Sequence, residues 1–215
     1  MSSERQYIII EGVIGVGKTT LADMISKRLN AQLVVEQHEE NPFLADFYKD
    51  PRRYAFQTEL FFLLSRHRQQ MDELRQSDLF AQHLVTDYLF SKSRIFAAIT
   101  LEEREVALFN TVAHLLERDA PIPDLVVYLQ SNTQRLMRNI RLRDREYERG
   151  MNPEYIEALV EAYNHHFFRY KASDLMIVNA TTLDFVRNPD QFDDLFTQIM
   201  NAPGGLSYYN PATEV

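Results

Sequence analysis

Residues Tyr7–Ile25 read YIIIEGVIGVGKTTLADMI. A short, branched apolar run ends at Glu11, three glycines and a lysine follow, and a helical pattern begins. Within it, Gly12-Val13-Ile14-Gly15-Val16-Gly17-Lys18-Thr19 matches G-x-x-x-x-G-K-[ST] at every fixed position. The run Tyr7–Glu11 is a buried strand by length, branching and its glycine boundary. Lys18–Leu29 is a helix, with Leu21, Met24, Ile25 and Leu29 on one face. Strand, glycine loop and helix in register form a phosphate cradle. The glycines let successive backbone N–H groups point inward, and the helix N-terminus adds a positive dipole end. Gly12, Gly15, Val16, Gly17, Lys18, Thr19 and Thr20 are its candidate residues. Lys18 would reach the outer phosphates of ATP, and the Thr19 hydroxyl would ligate Mg²⁺.

Outward from this loop the pattern alternates. Short apolar runs at Gln32–Glu36, His83–Asp87, Pro123–Leu129 and Asp174–Asn179 read as further strands. Helical periodicity covers Tyr54–Leu74, Glu102–Arg118, Thr133–Arg145, Pro153–Tyr170 and Pro189–Met200, with Pro51 ending a loop and Pro153 suited to a first helical turn. Alternating, continuously apolar strands predict an α/β fold of P-loop kinase type: a five-stranded parallel sheet with helices on both faces. The tail GGLSYYNPATEV is expected to be loosely docked. In such sheets ligands sit beyond the carboxyl ends of the strands. The first three strands end in Glu11, Glu36 and Asp87, and two of these should converge with the glycine loop.

The chain has 215 residues, 45% of them hydrophobic, which suits one domain (1–215) with a substantial core. A net charge of −8 argues against a nucleic-acid polymer as the main partner. Without cysteine there is neither a disulfide framework nor a thiolate metal site. The start MSSERQYIII is too short for a signal segment or a membrane span, so a cytoplasmic protein with no membrane partner is expected. The six histidines form no ligand pattern. A GTPase switch would need D-x-x-G; only Gly150, Gly204 and Gly205 lie outside the loop, and none has Asp three residues before it. A small kinase acting on a small acceptor remains.

Three features address the acceptor. Glu36, in VVEQHEENPF, is placed to accept a hydroxyl proton, or belongs to a solvated acidic cluster with Glu39 and Glu40. Asp87, in LVTDYLF, is placed to hold Mg²⁺, or caps the segment that follows. Arg141, Arg143 and Arg145 alternate along a helix and cannot all face one way. They form either a charged face or part of a lid, about 138–150, that closes over phosphates and ends near Gly150.

In this order, EGVIGVGKTT, VVEQ ahead of NPFL, FYKDPRRYAFQTELFFLLSRHRQ, TDYLFSKSRIFA, PDLVVYL, RLRDREYERG with NPEYI, and VNATTLDFV resemble the deoxynucleoside kinase family over Tyr7 to about Met200. The resemblance implies an ATP-dependent kinase of a small-molecule deoxynucleoside, working with Mg²⁺ and paired as a homodimer through helices. The candidate pairing helices are Phe61–Leu74 and Glu102–Arg118, although packing within one chain accounts for them equally. It implies Glu36 as catalytic base, Lys18, Arg143 and Arg145 on the phosphates, and Thr182–Val186, including Asp184 and Phe185, near the ATP adenine. Tyr48 and Glu148 would meet the sugar, and Arg66 would lie in the base pocket. Asp87 matches the family's acidic position, but Tyr88 follows where the family has arginine, which leaves the arginine's role near the 5′-hydroxyl unassigned.

Glu59 stands where many relatives have a base-pairing glutamine. A carboxylate only accepts, and guanine presents two adjacent donors, so an ionised Glu59 facing the base would favour deoxyguanosine. A two-residue slip would instead place Gln57 there, and Glu59 could also be a helix-surface residue. Two rivals remain open. A nucleoside monophosphate kinase would want an arginine near QHEEN, which is acidic. A nucleotide-binding regulator without turnover would have no need of Glu36.

Overall fold

The computed structural model describes residues 6–75, 83–118 and 120–211. Six strands form one parallel sheet: β1 (Gln6–Gly12), β2 (Gln32–Val34), β3 (His83–Thr86), β4 (Leu125–Gln130), β5 (Asp174–Asn179) and β6 (Leu206–Tyr209). Their order is β2-β3-β1-β4-β5-β6. The helices are α1 (Lys18–Leu29), α2 (Leu44–Lys49), α3 (Pro51–Arg75), α4 (Lys92–Thr100), α5 (Glu103–Glu117), α6 (Thr133–Arg143), α7 (Pro153–Phe168) and α8 (Pro189–Met200). No helix among the described residues is long and apolar enough to cross a membrane.

Central strands buried on both faces explain the unbroken apolar runs. Ile8, Ile9, Ile10, Val126 and Val127 are all at most 1% exposed, and they join the sheet to α1, α7 and α8 in one core. A smaller cluster of Leu63, Phe90, Ala97, Phe109 and Ala113 binds α3, α4 and α5 to each other. Asn132, Asn152 and Asn188 cap α6, α7 and α8 with their side chains, and Pro153 and Pro189 open the last two.

The sheet has six strands where five are expected. Leu206–Tyr209, expected to be loosely docked, pairs in parallel with β5. Asp174 Oδ1 accepts from Gly205 N at 2.7 Å, and the Tyr209 hydroxyl donates to Asp194 Oδ2 at 2.5 Å. The strand is short, half-exposed and only partly apolar, so periodicity does not mark it. Residues 212–215 of that tail lie outside the described residues. Pro51 does not end a loop but opens α3, at a first-turn position where its missing N–H costs nothing.

β1 lies between β3 and β4, which follow opposite crossovers. The crevice therefore opens past the carboxyl ends of β1 and β3. The glycine loop follows β1, Glu36 lies just past β2, and Asp87 just past β3.

Candidate active site

Between β1 and α1 the loop curls because its glycines take backbone angles closed to other residues. Gly15 and Gly17 have φ of 85° and 103°. Gly15 has a second reason to lack a side chain: a Cβ there would stand 2.8 Å from Ile140 Cγ1 and 2.9 Å from the Leu136 carbonyl oxygen. Asn139 Nδ2 donates to the Gly15 carbonyl at 2.8 Å, so α6 is latched directly onto the loop. Gly12 is packed against the Leu129 carbonyl at the end of β1, outside the cavity lining.

A cleft of about 500 Å³ runs over this loop. Gly15, Val16, Gly17, Lys18, Thr19 and Thr20 form its floor, and Arg135, Arg138, Arg143, Arg145 and Arg187 its rim; Asp184 and Phe185 also line it. The Phe185 ring packs on Gly17. Arg135, Arg138, Asn139 and Leu142 follow i, i+3, i+4, i+7 spacing, so one face of α6 supplies that rim. Sequence reasoning missed Arg135 and Arg138, although helical spacing alone marks them as sharing a face. Arg141 is exposed and lines neither this cleft nor the next cavity.

A second, narrower cavity of about 110 Å³ adjoins it. The two share Gly15, Lys18, Thr19, Arg143 and Arg145. The second also contains Glu36, Tyr48, Glu59, Arg66, Asp87, Lys92 and Glu148, walled by aromatic residues that include Phe47, Phe62, Phe96 and Tyr155. A basic, loop-floored cleft thus meets a carboxylate-bearing aromatic cavity at Lys18.

Glu36 is held on both oxygens. Arg66 Nε and Nη2 approach Oε1 at 2.6 and 2.5 Å, and Lys92 Nζ approaches Oε2 at 2.7 Å. Burial alone would raise this carboxyl, but Arg66 and then Lys92 outweigh it and hold it well below the usual carboxylate range. Glu36 is therefore not a member of a free acidic surface cluster. Arg66, 3% exposed, places its other arm on Ser93 Oγ at 2.5 Å. Asp87 Oδ1 accepts from the Glu36 backbone N–H at 2.8 Å, and Oδ2 accepts from the Thr19 hydroxyl. Of the three strand-end acids, Glu11 is the one that does not reach the cavity. Its carboxyl is fully buried and accepts from the Gly12 and Leu89 amides, each at 2.8 Å, bracing β1 against the loop after β3.

Lys18 Nζ rests on the Val13 carbonyl at 3.3 Å. Burial, and then the neighbouring Lys92, pull its pKa down to about 8. An anion in the cleft would oppose this shift by favouring the charged ammonium.

Glu59 faces the cavity. It is 2% exposed, while Gln57 is exposed on the opposite side of α3. Oε1 accepts from the Thr100 hydroxyl at 3.3 Å, and Oε2 has no partner among the described residues. Burial raises its pKa to about 7, against the pull of Arg66. The Tyr48 ring stacks on Tyr147 at 5.9 Å. Glu148, 4% exposed, takes Arg143 Nη2 and Nε at 2.5 and 3.1 Å, while Arg145 stands 3.9 Å away. Tyr88 is fully buried and lines neither cavity. Sequence reasoning passed over Lys92. A lysine at the first position of a helix opposes the dipole there, which is a signal that a carboxylate must lie close.

No group of three or more His, Asp or Glu side chains among the described residues could encage a metal. The adjoining Thr19 hydroxyl and Asp87 carboxylate nevertheless offer hard oxygen donors. Such a pair suits Mg²⁺, which keeps most of its waters and needs few protein ligands.

Residues 8–202 match the family model described as deoxynucleoside kinase. The deoxyguanosine kinase of Bacillus subtilis (strain 168) is 32% identical over 200 residues, covering 90% of this chain and 95% of that protein. The deoxyadenosine kinase of Dictyostelium discoideum is 30% identical over 221 residues, covering 99% and 86%. Among solved structures, deoxyadenosine kinase from M. mycoides with bound dATP superposes with a TM-score of 0.79 at 23% identity, over 91% of this chain and all of that one. That likeness carries the fold.

Proposed function

The chain belongs to the deoxynucleoside kinase family and phosphorylates deoxynucleosides, and from that premise we propose a purine acceptor, with deoxyguanosine ahead of deoxyadenosine, and Mg²⁺-ATP as the donor. One observation carries the reading: the loop-floored basic cleft and the carboxylate-bearing aromatic cavity meet at Lys18, Thr19, Arg143 and Arg145. Triphosphate on one side and a flat base with its sugar on the other would bring donor and acceptor to the same lysine. Gly15–Thr20 would cradle the phosphates, and Asp184 and Phe185 lie where the adenine end would rest. Thr19 and Asp87 would hold Mg²⁺, which supplies charge neutralisation between the outer phosphates.

Glu36 acts as the base for the 5′-hydroxyl. The carboxylate is oriented by its two cations, and Arg66 thereby serves the base, whatever it also contributes to the nucleobase pocket. Tyr48 and Glu148 would hold the 3′-hydroxyl. Arg143 and Arg145, which face Glu148 at 2.5 and 3.9 Å, would turn to the phosphates as the segment 138–150 closes as a lid. Glu59, inward-facing and with one oxygen unpartnered, is the residue that would read guanine N1–H and N2–H₂. Its placement supports this register over Gln57.

A monophosphate acceptor would need a cation near His38–Glu40. That loop instead carries Glu39 and Glu40, both exposed, which would repel a monophosphate. Leu64, Leu108 and Leu115 on α3 and α5 are about half exposed and offer a homodimer face in a cytoplasmic enzyme. The test is a panel of the four deoxynucleosides and dTMP with ATP and Mg²⁺, read as product. Purine deoxynucleoside monophosphates are expected. Turnover of dTMP alone would refute the acceptor assignment, and ATP binding with no product from any acceptor would favour the regulator.

A further inference from the structure

The ammonium of Lys92 is buried at 5% exposure in the cavity that also contains Lys18, Thr19, Glu36 and Asp87. An ammonium carries three donor protons. Among the described residues one acceptor, Glu36 Oε2 at 2.7 Å, takes a hydrogen bond from it, and the Phe96 ring lies 5.7 Å from the nitrogen. Two of its protons thus meet no protein acceptor among the described residues and are free for a group that enters the cavity. Lys92 also opens α4, where the dipole repels a cation, so its position is held by Glu36 against the local field of its own helix. The neighbouring Ser93 anchors Arg66 in the same turn. The first turn of α4 therefore sets both cations around the Glu36 carboxylate. Arg66 has a second hydrogen-bond acceptor, and among the described residues Lys92 has none.

Its surroundings point to the group that would meet these protons. Glu36 lies on one side, at the acceptor end, and Lys18 and Thr19, which also floor the phosphate cleft, line the same cavity as Lys92. A group passing from donor to acceptor crosses between them. We propose that Lys92 is a catalytic residue: its ammonium holds Glu36 and donates its remaining protons to the oxygens of the phosphoryl group in transit. The inference rests on the deoxynucleoside kinase reading with Glu36 as base. In the step, the 5′ oxygen attacks the γ-phosphorus as its proton passes to Glu36. The O5′–P bond forms, the bond to the bridging oxygen breaks, and that electron pair leaves on the diphosphate. Lys92 keeps its proton and stabilises the negative charge. The position after Asp87 then needs no cation, and buried Tyr88 can serve the core.

The test uses the full chain with ATP, Mg²⁺ and the deoxynucleoside that the wild type turns over fastest. Lys92→Gln keeps a donor for Glu36 and removes the charge; Lys92→Met removes both, and Lys92→Gln carries the test if Lys92→Met does not fold. Thermal melting of Lys92→Gln within a few degrees of wild type is expected. Its kcat should fall about 10²-fold, with the deoxynucleoside KM within about threefold, because the contact forms mainly in the transition state. In a Glu36→Gln background, Lys92→Gln should still cost at least about tenfold in kcat. A folded Lys92→Gln enzyme with near wild-type kcat, a loss confined to KM, or no further loss in the Glu36→Gln background would overturn the proposal. Retained kcat in Glu36→Gln alone refutes the base assignment instead, and a wild type that forms no monophosphate refutes the acceptor reading.

Discussion

Replacing Glu59 by Gln should make the empty enzyme more stable at alkaline pH. Glu59 is 2% exposed, Oε2 has no partner, and burial raises its pKa from 4.5 to about 7. A carboxyl whose pKa is higher folded than unfolded binds its proton more tightly in the folded state. Its contribution is complete below pH 4.5, falls as pH rises between the two values, and is gone above about pH 7. At about 1.4 kcal/mol per pH unit, that interval corresponds to about 3 kcal/mol. Glutamine has nearly the same shape and no charge to desolvate. Urea unfolding of both proteins at pH 5 and pH 8 isolates the term, since other titrating groups are shared. From pH 5 to pH 8 the wild type should lose about 2–3 kcal/mol more than Glu59→Gln. With a urea m-value of about 2–3 kcal/mol per M, the difference appears as a relative midpoint shift of about 1 M. Parallel pH profiles would refute the reasoning and show that Glu59 meets water or an unrecognised cation.

The same carboxyl bears on selectivity. Ionised, it offers two acceptors to guanine; protonated, it offers one donor and one acceptor, which suits adenine. The deoxyguanosine-to-deoxyadenosine ratio of kcat/KM should therefore rise across pH 6 to 8 in wild type and stay flat in Glu59→Gln, as competition assays at each pH will measure. Lys18→Ala should lower kcat by at least about 10³-fold while leaving the melting temperature unchanged or higher, because a half-buried cation is removed from a site that holds it below its ordinary pKa. Gly15→Ala places a methyl 2.8 Å from Ile140 at a φ of 85°, and should cost about 2–4 kcal/mol in chemical denaturation. It should also weaken ATP binding by pushing α6 off the loop.

The strand–loop–helix unit around Lys18 was legible from residues alone because its information is local. Branched apolar residues, glycines at positive φ and a helix start all act within a dozen positions, and α1 spans Lys18–Leu29 as expected. The alternation of buried strands and helices announced the parallel sheet for the same reason. The sixth strand is not legible in the sequence because its order comes from pairing with β5 and from Asp174 and Asp194, not from its own pattern.

The candidate site divides along the same line. Sequence put Glu36 and Asp87 at strand ends, where chain direction aims them at one crevice, and helical spacing restricted which arginines could share a face. Sequence could not choose between Gln57 and Glu59, because a long helix carrying apolar residues on several sides presents no single inward face until its neighbours are in place. It also could not assign Glu11 to a brace and Lys92 to the cavity. Those roles depend on contacts across 78 and 56 residues, Leu89 N to Glu11 and Lys92 to Glu36. Local propensity determines what each segment becomes. Only the packed sheet decides which charges lose their water together, and the strength of every pairing in the site follows from that shared desolvation.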